Sequence, residues 1–296
     1  MYYSFETCIE YLKTLAFYSK MTYNTLVLSG GSVKGFSILG VIQYAFDNHF
    51  LDNITTYSGT SIGSIICYLL AIGCTPTEIL VYICTKSINQ KLNVNILNMI
   101  QGEGASSFMV IQEHLEKITI EKLGFFLTLK DLQDKLGKTL ICATYNLDDD
   151  CVEYLSPESH PDLPCITALR MSSNVPLLFE KFKYMNKHYV DGGIYDNFPI
   201  EVVDKPENKI LGVTVGITVG KSSKADETLL EYVLKLITIA STQNSKYFIN
   251  KMKDKHHIME LDTGNVSFLY MNLQSKQVLD LFSSGYNQAK EYFSSI

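Results

Sequence analysis

Hydrophobic and polar positions along the 296-residue chain form two alternating patterns. Short apolar runs rich in β-branched and aromatic residues predict strands near residues 25–29, 55–59, 138–145, 151–155, 188–191, 209–215 and 256–262. Apolar residues at helical spacing predict helices near residues 34–49, 61–73, 76–88, 110–122, 129–136, 164–172, 226–250 and 275–294. This alternation predicts a three-layer α/β/α fold with a mainly parallel central sheet.

The composition indicates one domain with a short extension. No proline- or serine-rich linker divides the chain, so residues 24–296 are predicted to form a single α/β domain. An amphipathic pattern over residues 4–20 predicts that residues 1–23 form a helical extension, which packs against the domain. The longest apolar helix, residues 62–72, is too short to cross a bilayer, and the first residues lack the basic start of a signal peptide.

Cysteine content and net charge indicate the cellular location of the protein and the classes of partner that it can bind. The seven cysteines are an odd number, include no C-x-x-C pair and mostly lie in apolar runs. This pattern predicts reduced, buried thiols, a cytoplasmic protein and no metal site. The net charge of −6, without a basic run, argues against nucleic acid as a partner. Any contact with an anionic membrane surface must then be local and transient.

The most informative motif is the pentapeptide that begins at Gly59 and places Ser61 at its centre. A β-branched and aromatic run precedes it, and a long apolar run follows it. We therefore predict a strand, a sharp turn and a buried helix, with Gly59 and Gly63 providing room for the turn. The Ser61 hydroxyl would lie at the positive end of that helix, where a nucleophile and a developing negative charge are both stabilised.

A second glycine-rich turn, residues 30–35, also separates an apolar strand from a helical pattern. It lacks the glycine spacing of a dinucleotide-binding loop, and Lys34 is followed by Gly35 rather than by the Ser or Thr of a nucleotide-binding P-loop. No nucleotide or other cofactor is therefore predicted. The amides of this loop are candidates for the oxyanion hole that acyl transfer requires.

A third motif places Asp191 at the end of an apolar strand and before Gly192 and Gly193. With the two turns described above, this pattern resembles the patatin-like phospholipases, which carry a glycine-rich loop ending in Lys-Gly or Arg-Gly, then G-x-S-x-G, then D-G-G or D-G-A. The resemblance covers about residues 24–215. It includes residues 129–132, 137–144 and 168–179, and the Asn-x-Pro that begins at Asn197.

The resemblance implies a patatin-like variant of the α/β-hydrolase architecture and a catalytic dyad without histidine. Ser61 would be the nucleophile and Asp191 the base that accepts its proton. The residues implied for the oxyanion hole are Gly30, Gly31, Ser32 and Val33. The residues implied to support the motifs are Lys34, Gly35, Gly59, Gly63, Gly192 and Gly193. Lys34 would start the helix or pair with a nearby acid. Ser32 departs from the family, which has a third glycine there, and its Cβ restricts the backbone angles.

The implied activity is metal-independent hydrolysis of glycerolipid or phospholipid esters through an acyl-enzyme. Three alternatives remain open at this stage. A transacylase would use the same machinery with an alcohol acceptor, and a catalytically silent lipid-binding or protein-interaction module would keep only the fold. A Ser-Asp-His arrangement would use His256 or His257. The sequence leaves open whether a protein activator is needed.

Two segments are predicted to shape access to the site. Residues 86–109, which combine asparagines, apolar residues and glycines, have the pattern of a cap or lid. Residues 176–188 combine apolar bulk with Lys181, Lys183 and Lys187. They fit either a segment that contacts a lipid surface or a β-hairpin packed on the body with solvated lysines.

Overall fold

The computed structural model describes residues 22–84, 104, 106–216, 229–264, 266 and 273–296. The predicted extension, apart from Thr22 and Tyr23, and most of the predicted lid therefore lie outside the described residues. The described strands are β1 (Thr25–Leu28), β2 (Thr56–Thr60), β3 (Thr139–Asn146), β4 (Cys151–Leu155), β5 (Phe182–Tyr184), β6 (Lys187–Asp191), β7 (Ile210–Val215) and β8 (His257–Leu261).

The described helices follow the predicted ones closely. They are α1 (Gly35–Asp47), α2 (Ile62–Ala71), α3 (Pro76–Cys84), α4 (Met109–Leu123), α5 (Leu129–Leu136), α6 (Cys165–Ser172), α7 (Leu229–Met252) and α8 (Ser275–Ser295). Short 3-10 turns cover Ser32–Lys34, Gly192–Ile194 and Glu201–Val203. Within the part of the chain that the structure describes, no helix is both long and apolar enough to cross a membrane.

The strands form one mixed sheet in the order β5-β6-β3-β2-β1-β7-β8, with β4 paired to β3. β1, β2, β3, β7 and β8 run parallel, whereas β4 and β6 are antiparallel to β3. Buried apolar residues of the helices and of the sheet form the main core. This arrangement confirms the predicted three-layer α/β/α fold with a mainly parallel sheet.

Strand register, rather than strand direction, brings Asp191 level with the end of β2. Thr60, the last residue of β2, pairs with Ala143 of β3, and Asp191 pairs with the next β3 residue, Thr144. β6 is antiparallel to β3, so its chain direction is opposite to that of β2, and it ends at Asp191 beside Thr144. The residue that follows Thr60 is Ser61. The carboxyl end of β6 therefore meets the carboxyl ends of the parallel strands at one place.

Helix α8 crosses α1 at two glycines. A Cβ built on Gly285 would lie 1.9 Å from the carbonyl oxygen of Ser37, and one built on Gly40 would lie 2.0 Å from that of Phe282. Both obstacles are backbone atoms, so a side chain at either position would push the two helices apart. Close backbone approach therefore fixes the packing of α8 on the body.

We expect Gly285→Ala to destabilise the protein by about 1–3 kcal/mol, because the added methyl group overpacks this contact. An exposed helix position would give the opposite sign, since alanine is about 1 kcal/mol more favourable than glycine in a helix. Chemical denaturation followed by circular dichroism measures the free energy of unfolding, and Ser283→Ala, at an exposed position of the same helix, is the control. A stabilised Gly285→Ala protein would contradict the close crossing.

Free thiols are mostly buried, as the sequence predicts. Cys67, Cys74, Cys142 and Cys165 are buried and unpaired, whereas Cys151 is exposed. Burial raises the pKa values of the four buried thiols, which makes them poor nucleophiles at neutral pH. The four buried cysteines therefore serve packing and offer no competing nucleophile.

Candidate active site

Ser61 lies in a strained turn between β2 and α2. Its backbone has φ 55° and ψ −126°, a conformation that is unusual for a residue with a side chain. Neither flanking glycine has room for a Cβ: one at Gly59 would lie 2.6 Å from the backbone nitrogen of Ser64, and one at Gly63 would lie 2.4 Å from the carbonyl oxygen of Leu28. The turn thus packs strand against helix through bare backbone, as the G-x-S-x-G pattern predicts.

A hydrogen bond from outside the turn fixes the strained backbone. The amide of Ser61 donates to the hydroxyl of Ser172, at 3.1 Å, and Ser172 is fully buried at the end of α6. The Ser61 side chain remains partly exposed at the amino terminus of α2. Its hydroxyl therefore meets both the solvent and the positive end of a helix dipole.

Asp191 is buried, with only 6% of its surface exposed. Its Oδ1 atom accepts a hydrogen bond from the amide of Gly193, at 2.7 Å. The Oδ2 atom is buried and has no hydrogen bond of standard geometry in the described part of the chain. Ser61 nevertheless acts on the carboxylate as a hydrogen-bonding neighbour. Both side chains line the same cavity, so they lie near each other in the free protein.

Burial also changes the protonation of this acid. Desolvation raises the pKa of Asp191 to about 6, although hydrogen bonding to Ser61 and to the Gly193 amide opposes the rise. A carboxylate with this pKa is a stronger base than an ordinary aspartate and is still ionised at neutral pH. Such a group can accept a hydroxyl proton.

The glycine-rich turn lies against the loop that follows Asp191. The amide of Gly30 donates to the carbonyl oxygen of Asn197, at 3.1 Å, and the Asn197 side-chain amide donates back to the Gly30 carbonyl, at 3.3 Å. The Gly30 amide is therefore already used, which corrects its predicted place in the oxyanion hole. A Cβ on Gly30 would lie 3.2 Å from that of Ser61, so Gly30 acts by allowing close approach.

Three loop residues remain candidates for the oxyanion hole. Ser32 lies beside Ser61 in both neighbouring cavities, Gly31 lies in one and Val33 in the other. Within the described residues, neither the Gly31 nor the Val33 amide has an acceptor. Ser32 adopts φ 51°, in the left-handed region that favours glycine. Ser32 thus stands where the family has its third glycine, and it adopts the left-handed conformation that a glycine would adopt without strain.

Lys34 precedes α1 and is fully buried. Its Nζ donates to the carbonyl oxygen of Gly216, at 2.7 Å, and desolvation lowers its pKa to about 8. The side chain thus connects the glycine-rich turn to the residue after β7. The prediction that Lys34 starts the helix agrees with this position.

Two cavities meet at Ser61 and Ser32. The first, which we call the Asp191 cavity, has a volume of about 610 Å³. Asp191, Lys34 and Asn197 are among the residues that line it. The second, which we call the apolar cavity, has a volume of about 750 Å³. Its wall includes Ile65, Ile83, Phe108, Ile111, Leu178 and Phe179. A nucleophile shared by two cavities, one with a wall of apolar side chains and one that holds Asp191, suits an ester with a long apolar acyl chain.

The histidines lie away from this site. His256 pairs with Asp204, at 2.9 Å, and His257 bonds the hydroxyl of Tyr23. Both line a separate cavity beside Ile210, the first residue of β7. They therefore lie at the amino ends of the parallel strands, whereas Ser61 follows the carboxyl end of β2. No histidine of the described residues lines either cavity at Ser61. The geometry therefore disfavours a Ser-Asp-His triad.

The segment 176–188 forms a β-hairpin of strands β5 and β6. Its turn residues Met185 and Asn186 have φ values of 46° and 65°, as a two-residue turn of type I′ requires. Leu178 and Phe179 line the apolar cavity and do not form an outward-facing patch. Of the two interpretations, the packed hairpin is therefore favoured.

The described end of the predicted lid is held against this hairpin segment. The Ser106 amide donates to the carbonyl oxygen of Leu178, at 2.8 Å, and Phe108 packs edge-on against Phe179. Phe108 thus forms part of the cavity wall. The remaining residues of the predicted lid, except Gly104, Ser107 and Met109, lie outside the described residues.

Comparison with known proteins identifies the family. The family model described as patatin-like phospholipase matches residues 26–204, more than half of the chain. The chain belongs to the patatin-like phospholipase family. The match includes the glycine-rich turn, Ser61 and Asp191, which are the parts that the structure brings together.

Individual relatives of this patatin-like chain include viral proteins. A protein of Invertebrate iridescent virus 6, named as a probable lipid hydrolase, is 35% identical over 193 residues, which cover 63% of this chain and 65% of that protein. An uncharacterized protein of Acanthamoeba polyphaga mimivirus is 27% identical over 288 residues, which cover 92% of this chain and 94% of that protein. The alignment to the iridescent virus protein thus spans just under two thirds of its length.

Solved structures share the fold of this patatin-like chain at low identity. VipD from Legionella pneumophila superimposes with a TM-score of 0.59 at 17% identity, covering 92% of this chain and 67% of VipD. ExoU of Pseudomonas aeruginosa, solved in complex with SpcU, gives a TM-score of 0.51 at 14% identity, covering 92% and 52%. These similarities show the three-layer fold.

Sequence reasoning missed the residues that support the patatin-like site from a distance. Ser172 holds the Ser61 amide, and the carbonyl oxygen of Asn174 accepts from the Asp191 amide, at 2.9 Å. Both lie in the run 168–179 that carries part of the family resemblance. The resemblance could have indicated that this run matters for the site, but only the folded chain shows that it holds the amides of Ser61 and Asp191.

Proposed function

We propose that this chain is a serine carboxylic ester hydrolase acting on glycerolipid or phospholipid esters. The supporting observation is that Ser61 shares a cavity with a buried Asp191 whose pKa is raised to about 6, and that an apolar cavity begins at the same serine. Membership of the patatin-like phospholipase family and the name of the iridescent virus relative support lipid hydrolysis in general. The substrate class and the roles of the two side chains are our proposal.

In the proposed mechanism, Asp191 accepts the Ser61 hydroxyl proton as the oxygen attacks the ester carbonyl carbon. The resulting oxyanion accepts hydrogen bonds from amides of the glycine-rich turn, with Gly31, Ser32 and Val33 as the candidate donors. When the tetrahedral intermediate collapses, the bond to the alcohol oxygen breaks, and Asp191 returns the proton to that oxygen. Water then attacks the acyl-enzyme by the same steps, which releases the fatty acid and restores Ser61.

The two cavities suggest how a lipid would lie. The apolar cavity would take the acyl chain, because burying its methylene groups contributes about 0.8 kcal/mol each. The Asp191 cavity would take the alcohol part, which must lie within reach of the proton donor. Such a substrate is supplied by an aggregated lipid, so transient contact with a membrane surface is part of the proposal.

Fatty-acid release from phospholipid vesicles in the presence of a chelator tests this proposal. We expect the native chain to release fatty acid and to react with a fluorophosphonate at Ser61, whereas Ser61→Ala should do neither. A chain that binds vesicles but shows neither reaction would support the silent-module alternative. Acyl transfer to an added alcohol faster than to water would support the transacylase alternative.

The raised pKa of Asp191 predicts the pH dependence of turnover. The base must be ionised, so kcat/KM for a soluble, non-ionising ester should rise with pH through an apparent pKa of about 6 and then level off. Initial rates between pH 4.5 and 8.5 measure this profile. The same rising limb in a His256→Gln, His257→Gln double variant would assign it to a carboxyl group. A rate that is constant between pH 5 and 8 would contradict a base with this pKa.

A further inference from the structure

Arg170 is a buried cation that the proposed mechanism does not use. It lies in the last turn of α6, and only 3% of its surface is exposed. Desolvation lowers its pKa to about 10, so it remains charged at neutral pH despite its burial. Burying an arginine is costly unless every part of the guanidinium is engaged, so its contacts indicate what it serves.

One edge of the guanidinium leads to Asp191. Its Nη1 donates to the side-chain oxygen of Asn174, at 2.9 Å, and the side-chain amide of Asn174 donates to the carbonyl oxygen of Tyr189, at 2.7 Å. The Asn174 carbonyl oxygen accepts from the Asp191 amide, at 2.9 Å. Asn174 therefore holds β6 at two residues, on either side of Val190. The pairing of β6 with β5 ends at Tyr189, so beyond that residue Asn174 takes the place of a neighbouring strand.

The other edge and the faces of the guanidinium lead to the wall of the apolar cavity. Nη2 lies 3.1 Å from a carboxylate oxygen of Glu180 and 3.2 Å from the Glu180 carbonyl oxygen. The guanidinium carbon lies 4.4 Å from the ring centre of Phe108, 5.1 Å from that of Phe182 and 5.8 Å from that of Phe179. Two of these rings, Phe108 and Phe179, line the apolar cavity.

We propose that Arg170 is a positioning residue that sets the place of Asp191 through Asn174 and ties it to the phenylalanine wall of the apolar cavity. The inference rests on the proposed function, since it assigns a role only if Asp191 is the base. Positioning of this kind has a large effect on rate, because displacement of a reacting group by about 1 Å can cost 100-fold.

The chemistry of the side chain explains why arginine suits this position. Its planar fork donates to Asn174 and to Glu180 at once, and its faces stack on aromatic rings. A lysine carries the same charge on a compact ammonium group, which cannot keep both directions of contact. Arg170→Lys therefore separates the geometry of the fork from its charge.

The test compares Arg170→Lys and Asn174→Ser with the native chain on a butyryl ester, below the melting temperature of each variant. We expect kcat to fall by about 10- to 100-fold in both variants, with KM within about twofold. The rate constant of fluorophosphonate labelling at Ser61 should fall by the same factor. Asn174→Ser removes the side-chain bonds to Arg170 and to the Tyr189 carbonyl oxygen but leaves Arg170, its aromatic contacts and the main-chain bond to Asp191, so it tests the inference even where Arg170→Lys does not fold.

Two further variants serve as controls. Glu180→Gln removes the charge partner of Arg170 but leaves the bond to Asn174, so it should lower the melting temperature with kcat within about twofold of native. Lys183→Met removes an exposed charge from the same hairpin and should change neither quantity.

The possible results separate the inference from the proposed function. Native-like kcat and labelling in folded Arg170→Lys and Asn174→Ser would overturn the inference and leave the proposed function intact. Equal losses of kcat in Glu180→Gln and Arg170→Lys would also overturn it, because charge compensation alone would then explain the effect. A native chain that fails to hydrolyse the ester and to label at Ser61 would instead overturn the proposed function, and the inference with it.

Discussion

Asp191→Asn is expected to lower kcat for a soluble ester by on the order of 1,000- to 10,000-fold, with little change in KM. The amide keeps the size and shape of the carboxyl group but cannot accept the Ser61 proton. Ser61→Ala should be at least as inactive, because it removes the nucleophile itself. Steady-state kinetics on a butyryl ester and on phospholipid vesicles measures both losses.

The stability of Asp191→Asn distinguishes lost chemistry from lost folding. The pKa of Asp191 is raised in the folded state, so the folded protein binds its proton more tightly than the unfolded chain does. This group therefore reduces stability as pH rises from the unfolded pKa, 3.8, through about 6. At pH 8 the uncharged asparagine side chain avoids that penalty, so the variant should melt no lower than the native protein.

The matched control for this prediction is the double change His256→Gln, His257→Gln. These histidines lie at the end of the parallel strands opposite to Ser61, so the variant should keep most of its activity. The reverse pattern, an active Asp191→Asn protein and an inactive double histidine variant, would exclude the Ser61–Asp191 dyad.

Ile111→Trp is expected to lower kcat/KM for long-chain esters by on the order of 100-fold, while butyryl esters change little. Ile111 lies on α4 and lines the apolar cavity, so the larger ring occupies space that an acyl chain would use. Excluding about four methylene groups at about 0.8 kcal/mol each accounts for an effect of this size. The ratio of kcat/KM values for a palmitoyl and a butyryl ester is the quantity to measure.

Met109→Trp is the control for this change, since Met109 lies on the same helix and is 51% exposed. It should keep the native preference for chain length. Equal losses on the two esters in Ile111→Trp would indicate a general distortion of the site. An unchanged ratio would mean that the acyl chain does not lie in the apolar cavity.

Much of this protein was determined by local sequence. The Ser61 turn, for example, depends on residues within a few positions of one another: small residues where strand and helix touch, and an apolar run that forms α2. Helix α5 was predicted to its limits because its start and stop signals are local, a Thr128 capping box and the left-handed Gly137. Strand and helix positions followed for the same reason, and the three motifs identified the family.

Longer-range contacts were decided only by the tertiary structure. Strand β5 was absent from the predicted strands and was expected only if residues 176–188 form a hairpin, because its three residues become a strand only by pairing with β6. The Gly30 amide was assigned to the oxyanion hole, yet it is used by Asn197, 167 positions away in the chain. Hydrogen-bond partners this distant leave no periodic signal in the sequence.

The same limit applies to the support of the acid. The sequence identified Asp191 as an acid that follows a strand, but its antiparallel register with β3 and its hold by Asn174 are properties of the assembled sheet. Its raised pKa arises from burial by segments far apart in the chain. The sequence by itself therefore determined which groups this protein carries for the proposed acyl chemistry. Only the tertiary structure decided how near they lie, which amides remain available and how basic the carboxylate is, because these depend on packing between distant segments.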